Sequence, residues 1–542
     1  MIKILFSKSL TLIVCLILSV TSFAQQRTIT GIVSDDNGVP LSGATILVKK
    51  TKNITTTNSK GAFTLNAPPN TNTLVVTYVG MSSKEIIIGS DNSINVSLVP
   101  TSGTLSDIVI VGYGKTRKAD LTTAQTTISA KDIDKTVNTT LEQAIQGRSA
   151  GVYVTQNSGQ PGGGISVNIR GVSSLSRTQP LYVIDGIQIQ GNEDVSFGSS
   201  STSNALAGLN PQDIEDMQIL QGPSATAIYG SRATNGVILI TTKRGKAGDF
   251  KINYSFQYNQ QLAPKHLPVM NLQQYAQMVK EYHTIAGGTT PAEFLDPSLL
   301  GAGTDWQREL FNKASMKKHQ LNLSGGNSNT TYYMSGEYLD QAGIAAGSGF
   351  KRHGFRLNLD NKPRSWATIG VNVNFSQTNE NLAATNYGDA QSPLIANALR
   401  LTPQIPVVNL NGSWGGSDPV NGAGQYAPTN PIALASLITN NNMKRNLTGG
   451  INIGITPLKG LSFRTSFNAS IGSGFSLYYT PTYNLDQWHN NQIASLANAS
   501  YQSWYYNWNQ LVEYTRDFGK HKATIMASHE TQASEYQALS VG

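Results

Sequence analysis

The chain has almost no cysteine and few charges. Its single cysteine in 542 residues, Cys15, falls in the first apolar run. That run reads as a secretory signal cut after Ala24. Lys3 and Lys8 supply the positive start, "LTLIVCLILSV" is too short to span a bilayer with margin, and small residues precede the cut. Val14 stands where a lipobox needs a small residue, so Cys15 is not a lipid attachment point. The mature chain then has no disulfide and no cysteine metal site, and must hold together by strand pairing and packing alone. Charged residues make up 13% of the chain, against about 25% in ordinary soluble domains. The net charge of +8 is scattered, not gathered in a stripe, so no nucleic acid is expected as a partner. The seven histidines show no HExxH spacing, no GxSxG elbow occurs, and carboxylates do not cluster. No enzyme activity, cofactor or metal is therefore expected.

One stretch imitates a nucleotide site. "IVIVGYGKT", residues 108–116, ends like a phosphate-binding loop, but the glycine that loop needs is replaced by Val109. The dinucleotide pattern fails as well, because its third glycine is replaced by Arg117.

What is plentiful is Gly, Asn, Ser, Thr and Tyr, in patterns of extended β structure. Residues 27–99 read as a small β-sandwich of short alternating strands separated by the turn signals "DNG", "SKG" and "PPNTN". A Gly/Ser/Thr-rich linker, "PTSGTLS", leads into residues 107–111, within a linker segment spanning 100–116. A short β-prone segment on a tether is suited to adding itself to another protein's sheet edge; packed as a core strand, it would have no such role. Residues 117–245 then alternate helices and strands: "LEQAIQGRSAGVYV" runs from helix to strand, and "PLYVIDGIQI" is a hairpin whose Asp185-Gly186 supplies the positive φ of a tight turn. Pro211 opens a short helix, "MQIL" is a strand, "SATAIYG" is helical and "NGVILITTK" closes the segment. From residue 246 the pattern becomes long alternation. "FKINYSFQYN" puts Phe250, Ile252, Tyr254, Phe256 and Tyr258 on one face, as a lipid-facing strand over a wet lumen would. Tight turns "GGNSN", "DNKPR", "TPLKG" and "RDFGK" alternate with longer segments at 261–316, 379–442 and 472–497, the signature of an outer-membrane barrel with its short turns in the periplasm. Aromatic clusters such as "WYYNWNQ" suit interfacial girdles. About nine strands are counted.

These motifs carry a resemblance. "GIVSDDNGVPLSGATILVK" is similar to the carboxypeptidase-regulatory-like domain. "SDIVIVGYG", "PLYVIDGI" and "SATAIYGSRATNGVILITTK" resemble the SusC/RagA type of TonB-dependent outer-membrane transporter. The resemblance implies a mostly β fold: an N-terminal sandwich, an α+β plug and part of a transmembrane antiparallel barrel of about 22 strands. The expectation is therefore the N-terminal part of a longer transporter. It implies a TonB box at Asp107, Ile108, Val109, Ile110 and Val111, and plug motifs at Arg170, Gly171, Asp185, Gly186, Glu215, Gly222, Pro223, Tyr229, Gly230, Asn235 and Gly236. Arg170 and Glu215 are the expected members of plug-to-wall ion pairs, since a charge buried there needs a partner. The implied partners are TonB with its ExbB–ExbD energising complex, a SusD-like surface lipoprotein, outer-membrane lipid, and oligosaccharide or peptide cargo. Trp414, Tyr426 and Trp488 are candidate cargo contacts in the loops, together with the plug's outward loop at 188–206. Two other readings stand beside this one: a siderophore or cobalamin receptor, and a secreted β-rich adhesin that binds glycans.

Overall fold

The structure, a computed structural model, describes residues 27–542 apart from 99–107, 118–124, 172–178, 190–203, 223–226, 384–393, 417–427 and shorter turn segments. The signal segment, Asp107, Pro223 and Tyr426 lie outside the described residues. The chain forms two compact units, Met1–Leu121 and Thr122–Gly542.

The first unit is a two-sheet sandwich. β1 (Arg27–Asp35), β2 (Thr45–Val48), β3 (Ile54–Thr56), β4 (Ala62–Ala67), β5 (Thr73–Thr77), β6 (Lys84–Ile87) and β7 (Ser93–Leu98) form sheets ordered β4-β1-β7 and β3-β2-β5-β6. Period-two alternation puts Ile29 and Val33 of β1, Ile46 and Val48 of β2, Phe63 and Leu65 of β4, and Leu74 and Val76 of β5 into one core. Each such side chain contributes about 1.5–3 kcal/mol when fully buried, which is how a small domain without disulfides holds its fold. β1 lies parallel to β7 and opposes Gly31 to Ile94. After the sandwich, β8 (Ile108–Val111) pairs with β9 (Gly114–Arg117) as a two-stranded hairpin.

The second unit begins with an α+β domain. β10 (Gln125–Ser129), α1 (Ala130–Ile133), α2 (Leu141–Ile145), β11 (Val152–Gln156), β12 (Ile165–Ile169), β13 (Leu181–Ile184), β14 (Ile187–Ile189), β15 (Ile214–Leu220) and β16 (Val237–Thr242) follow in order. Its main sheet is ordered β10-β15-β16-β13-β14, with β11-β12 as a separate hairpin. The apolar runs of β13 (LYVI) and β16 (VILI) suit strands covered on both faces, and Ile184, Met217, Ile219, Ile238 and Ile240 share a core with Leu141 and Ile145 of α2. Asp185 and Gly186, at φ 49° and 91°, close the two-residue turn between β13 and β14, as the sequence predicts.

The rest is one antiparallel sheet of nine strands: β17 (Gly248–Gln261), β18 (Ala314–Gly326), β19 (Thr330–Ala342), β20 (Gly349–Arg364), β21 (Ala367–Asn381), β22 (Thr439–Leu458), β23 (Leu461–Thr480), then, past the two-residue strands β24 (Tyr483–Asn484) and β25 (Asn490–Asn491), β26 (Ser495–Phe518) and β27 (His521–Val541). β17 and β27 are its edges, so the sheet is not closed. These strands are 13 to 24 residues long, while about 9–11 suffice to cross a bilayer, so they project beyond one. The third long connection is shorter than the sequence suggests: β23 runs on to Thr480 and β26 starts at Ser495, because their ladder continues to the Thr480–Ser495 pair. The last strand likewise runs past "HKATIMASHE" to Val541, paired with β26 throughout. One face is apolar and exposed, with Phe375, Leu447, Ile451, Phe467, Ile471, Trp504 and Trp508 pointing outward. The opposite face carries buried Arg352, Asn358, Asn372, Asn442, Asn468 and Asn507. This is the alternation of a lipid-facing wall with a polar lumen. No described helix is long and apolar enough to cross a membrane, which says nothing about a chain that crosses with strands.

The close approach of β1 and β7 gives a test of the sandwich. A Cβ on Gly31 would lie 1.9 Å from the Ile94 carbonyl oxygen and 2.8 Å from the Phe63 ring. Gly31→Ala is expected to destabilise the first unit by about 1–3 kcal/mol, the usual cost of overpacking; scanning calorimetry should show its transition moved to lower temperature with the second unit's unchanged.

Candidate functional site: a charged seat between the α+β domain and the wall

The α+β domain shares no strand ladder with the wall. Besides the chain at residues 243–247, side chains hold them together, most of them on the polar face of β18, β19 and β20. Even-numbered residues of β20 and odd-numbered residues of β19 point inward, so Arg352, Arg356, Asn358 and Asp360 form one column beside Tyr333 and Glu337.

Arg352 is fully buried. Its Nε and Nη2 donate to Oε2 and Oε1 of Glu337, both at 2.9 Å, a two-pronged ion pair within the wall. Its Nη1 points the other way and donates to the backbone carbonyls of Thr139, Ala207 and Leu209, at 3.1, 2.8 and 3.2 Å. One guanidinium therefore grips two separate segments of the domain. Lys318 completes the group: its Nζ lies 3.2 Å from Glu337 Oε1 and donates to Asn210 Oδ1 at 2.9 Å. Asn210 Oδ1 also accepts from the Gln212 backbone N–H, capping the 3-10 turn Pro211–Asp213. Asp213, one turn on, accepts from the Tyr333 hydroxyl at 3.0 Å and Gln320 Nε2 at 3.3 Å. Burial pushes its carboxyl above the usual range, with the nearby Arg356 charge opposing.

A second contact runs through the β13–β14 turn. Asp185 accepts from the backbone N–H and hydroxyl of Thr242, and its Oδ2 lies 3.3 Å from Arg356 Nη1. Asn358 Nδ2 donates to Thr242 Oγ1 at 2.9 Å and to the Lys243 carbonyl at 2.7 Å. Where the domain joins β17, Arg244 pairs with Asp360 at 2.6 Å; both are partly exposed, so solvent screens this pair. Gly208 approaches so closely that a Cβ there would lie 2.4 Å from Ser376 Oγ.

The ion pairs that the nine strands make with the domain involve residues other than Arg170 and Glu215. Arg170 and Glu215 are exposed and form no ion pair among the described residues. Arg170 sits at φ 58° where β12 ends, and Glu215 is the extra residue of a bulge between the Ile214 and Asp216 register positions. The domain's acid that pairs with a wall arginine is Asp185, recognisable in the sequence only as a turn residue. Gln218 bonds Asp216, and Gln221 bonds Ser149 and the Ala150 carbonyl, all within the domain. Gly171 and Gly236 have positive φ, as does Gly230 within the 3-10 segment Ala227–Ala233 that holds Tyr229. Asn235 Nδ2 bonds the Gln179 carbonyl, and Gly222 is buried. Of the loop aromatics, Trp414 is half-buried and Trp488 half-exposed; their loops meet where Gly416 packs against Leu485 and Asp486.

Residues 117–237 match the TonB-dependent Receptor Plug Domain family, and residues 29–111 the CarboxypepD_reg-like domain family. TonB-dependent receptor P26 of Formosa agariphila is 31% identical over 93% of this chain and 49% of its own. TonB-dependent receptor SusC of Bacteroides thetaiotaomicron is 31% identical over 97% of this chain and 52% of its own. The chain belongs to the SusC/RagA-type TonB-dependent receptors. It spans about half the length of the curated relatives it matches. The RagAB peptide importer in its open-open state superposes with a TM-score of 0.67 at 24% identity, over 80% of this chain and 50% of that one, a likeness of fold. The α+β domain is thus the plug and the nine-stranded sheet the barrel wall, as receptors of this family sit in the outer membrane. Its named relatives are receptors, not enzymes.

Two outcomes follow from the seat. Arg352→Met removes the plug's three carbonyl partners and half the neutralisation of Glu337, at about 3–5 kcal/mol for a broken buried pair. The receptor should then pass bulky antibiotics in a sensitivity assay, whereas Arg148→Met, whose bonds to the Ala144 carbonyl and Thr136 stay within the domain, should not change permeability. The second concerns Glu142 of α2, which accepts from Asn204 Nδ2 at 2.9 Å. Burial raises its carboxyl pKa, the Asn204 bond opposing. A raised folded-state pKa means that folding binds the proton more tightly, so stability falls as pH climbs from the ordinary carboxylate value through the folded one. Glu142→Gln keeps the acceptor without the charge. The variant should match the wild type at low pH and melt above it at neutral pH.

Proposed function

We propose that this receptor imports nutrient oligomers, oligosaccharides or peptides, across the outer membrane, with its plug gated by TonB. The observation that carries the reading is the separateness of plug and wall: two independent sheets joined by discrete side-chain bonds around Arg352, Lys318 and Asp185. A pore wide enough for an oligomer would leak, so it is plugged, and the plug must be movable without dismantling the wall. The outer membrane has no local ATP, so the work arrives mechanically from TonB and its ExbB–ExbD complex.

On this reading residues 107–111 are the TonB box. In the structure Ile108–Val111 pair with Gly114–Arg117 on one edge, and strand addition by TonB uses the other or displaces the hairpin. Force then acts on the plug, a locally opening unit. The signal segment exports the chain, the tight turns face the periplasm, and a SusD-like lipoprotein covers the long-loop side, where Trp414, Tyr426 and Trp488 meet cargo. Arg170, Gly171, Gly186, Gly222, Tyr229, Gly230, Asn235 and Gly236 shape the plug's turns. The likeness to SusC over 97% of this chain favours this over a siderophore receptor or an adhesin.

Deleting residues 106–111 should abolish uptake of labelled cargo by whole cells while leaving cargo binding and outer-membrane assembly intact. Uptake at the wild-type rate in that deletion would refute the coupling.

A further inference from the structure

The ladder registers tell which residues share a level on the lipid-facing side of the wall. Toward the long connections, the last apolar level on β18, β20 and β21 is Leu321, Phe355 and Phe375. The next level carries Phe256, His319, Tyr338 and His353 on β17 to β20, and the one after it Lys317, Asp340 and Lys351 on β18 to β20. These residues point outward, because the intervening Lys318, Glu337 and Arg352 are buried on the inner face. The rings run in series, with centroids 4.7 Å apart for Phe256 and His319, 6.3 Å for His319 and Tyr338, and 5.0 Å for Tyr338 and His353. Tyr254 shares a hydrogen bond of 2.9 Å with His319 Nδ1 and so fixes that ring. Lys317 and Lys351 are exposed. Asp340 stands between them as the one acid on either level, 3.9 Å from the Lys351 ammonium. The Lys317 ammonium forms no ion pair or hydrogen bond among the described residues. A third cation, Arg445 of β22, shares the level of the rings and donates to Gln377 at 3.0 Å. From β23 to β27 the same two levels are Ser473, Gln502 and Gln537, then Phe475, Ser500 and Leu539, with no charge. An interfacial girdle recurs around a wall; these cations gather on one side of it.

A cation on a membrane-facing surface is costly unless its charge reaches water or an anion. Here three cations face one aspartate, directly beyond side chains that meet acyl chains. A soluble anion would use the cations and leave the apolar level idle. A zwitterionic phospholipid brings its own amine beside its phosphate. An anionic amphiphile matches both levels at once, and the outer leaflet of an outer membrane is built of phosphorylated glycolipids. We propose that Lys317 and Lys351 bind a phosphate of such a glycolipid, with its sugar along the His319, Tyr338 and His353 rings and its acyl chains on Leu321 and Phe355. Lysines two strands apart stand about 10 Å from each other at the backbone, a gap that one phosphorylated sugar headgroup spans. That this end of the wall meets the outer leaflet rests on the orientation in the import reading.

The test is native mass spectrometry of the receptor purified in detergent, with three probes: diphosphoryl lipid A, the same lipid stripped of its phosphates, and inorganic phosphate. The phosphorylated lipid should bind about tenfold tighter than the stripped one, and inorganic phosphate at the same concentration should not displace it. Lys317→Gln with Lys351→Gln should weaken binding of the phosphorylated lipid about tenfold and leave the melting temperature unchanged, since both side chains are exposed. Lys317→Arg with Lys351→Arg should restore it. If the glutamine pair lowers the melting temperature, Lys317→Gln alone gives the same reading, because that ammonium bonds nothing among the described residues. Equal binding of the two lipids, displacement by inorganic phosphate, or wild-type binding by the glutamine variant would each overturn the proposal; the last is the result for lysines that merely border the membrane. Orientation is read separately. In whole cells Ser328→Cys, in the tight turn between β18 and β19, should resist a membrane-impermeant maleimide. Labelling there would overturn the outer-leaflet placement together with the import orientation, and would leave the binding measured in detergent standing.

Discussion

The structure depends on how one charge is kept out of water. The Arg352 guanidinium is always ionised and has five N–H donors in a fixed plane, and it is fully buried. Taking it from water is tolerable only if an anion balances it and acceptors meet the remaining donors. Glu337 balances it from the neighbouring strand, and three plug carbonyls accept from the face turned away. Because those carbonyls come from residue 139 and from 207 and 209, the requirement fixes two distant plug segments against one point of the wall. A shift of the plug by one residue would strand the charge.

That solution is available because strands alternate. β20 shows lipid Phe355 and Leu357 while turning Arg352, Arg356 and Asn358 inward, so every second residue can be polar without cost to the membrane face. The same alternation on β18 and β19 brings Lys318, Gln320, Tyr333 and Glu337 to the seat. Farther along the inner face, neutral residues such as Asn442 and Ser476 lie beside buried charged ones, Glu380 and Lys444.

Much of this was legible in the sequence, and the limits were physical. Alternation, tight turns and the order of segments are local properties, and the fold class follows from them. The Asp185-Gly186 turn could be read because positive φ is a property of those two residues. That Asp185 also meets Arg356 could not, since its partner lies 171 positions away. Arg352 within "GFKRHGFRLNL" reads only as one polar residue of a lumen face. Its decisive acceptors are backbone carbonyls, which leave no trace in residue identity. Arg170 and Glu215 are charged residues in characteristic motifs, and a positive-φ turn and a bulge leave them exposed, without an ion pair to the nine strands described.

The order of strands in the plug bears on how a pull would act. β10 is the first plug strand after the tether, and it lies at the edge of the sheet, paired only with β15 through five residue pairs. An edge strand can leave without breaking any other ladder, whereas β15 and β16 in the middle cannot. Thr139, whose carbonyl Arg352 holds, follows soon after β10 along the chain. The other Arg352 acceptors, Ala207 and Leu209, adjoin the start of β15, deep in the sheet. On the import reading, force from the N-terminal side therefore loads β10 and the Thr139 bond well before it reaches the bonds at 207 and 209. Arg352 would then release one plug segment while still holding the other, and the guanidinium would keep Glu337 and two carbonyls as partners throughout. On that reading the buried charge would keep partners throughout, which favours a plug hinged on the wall over one expelled from it.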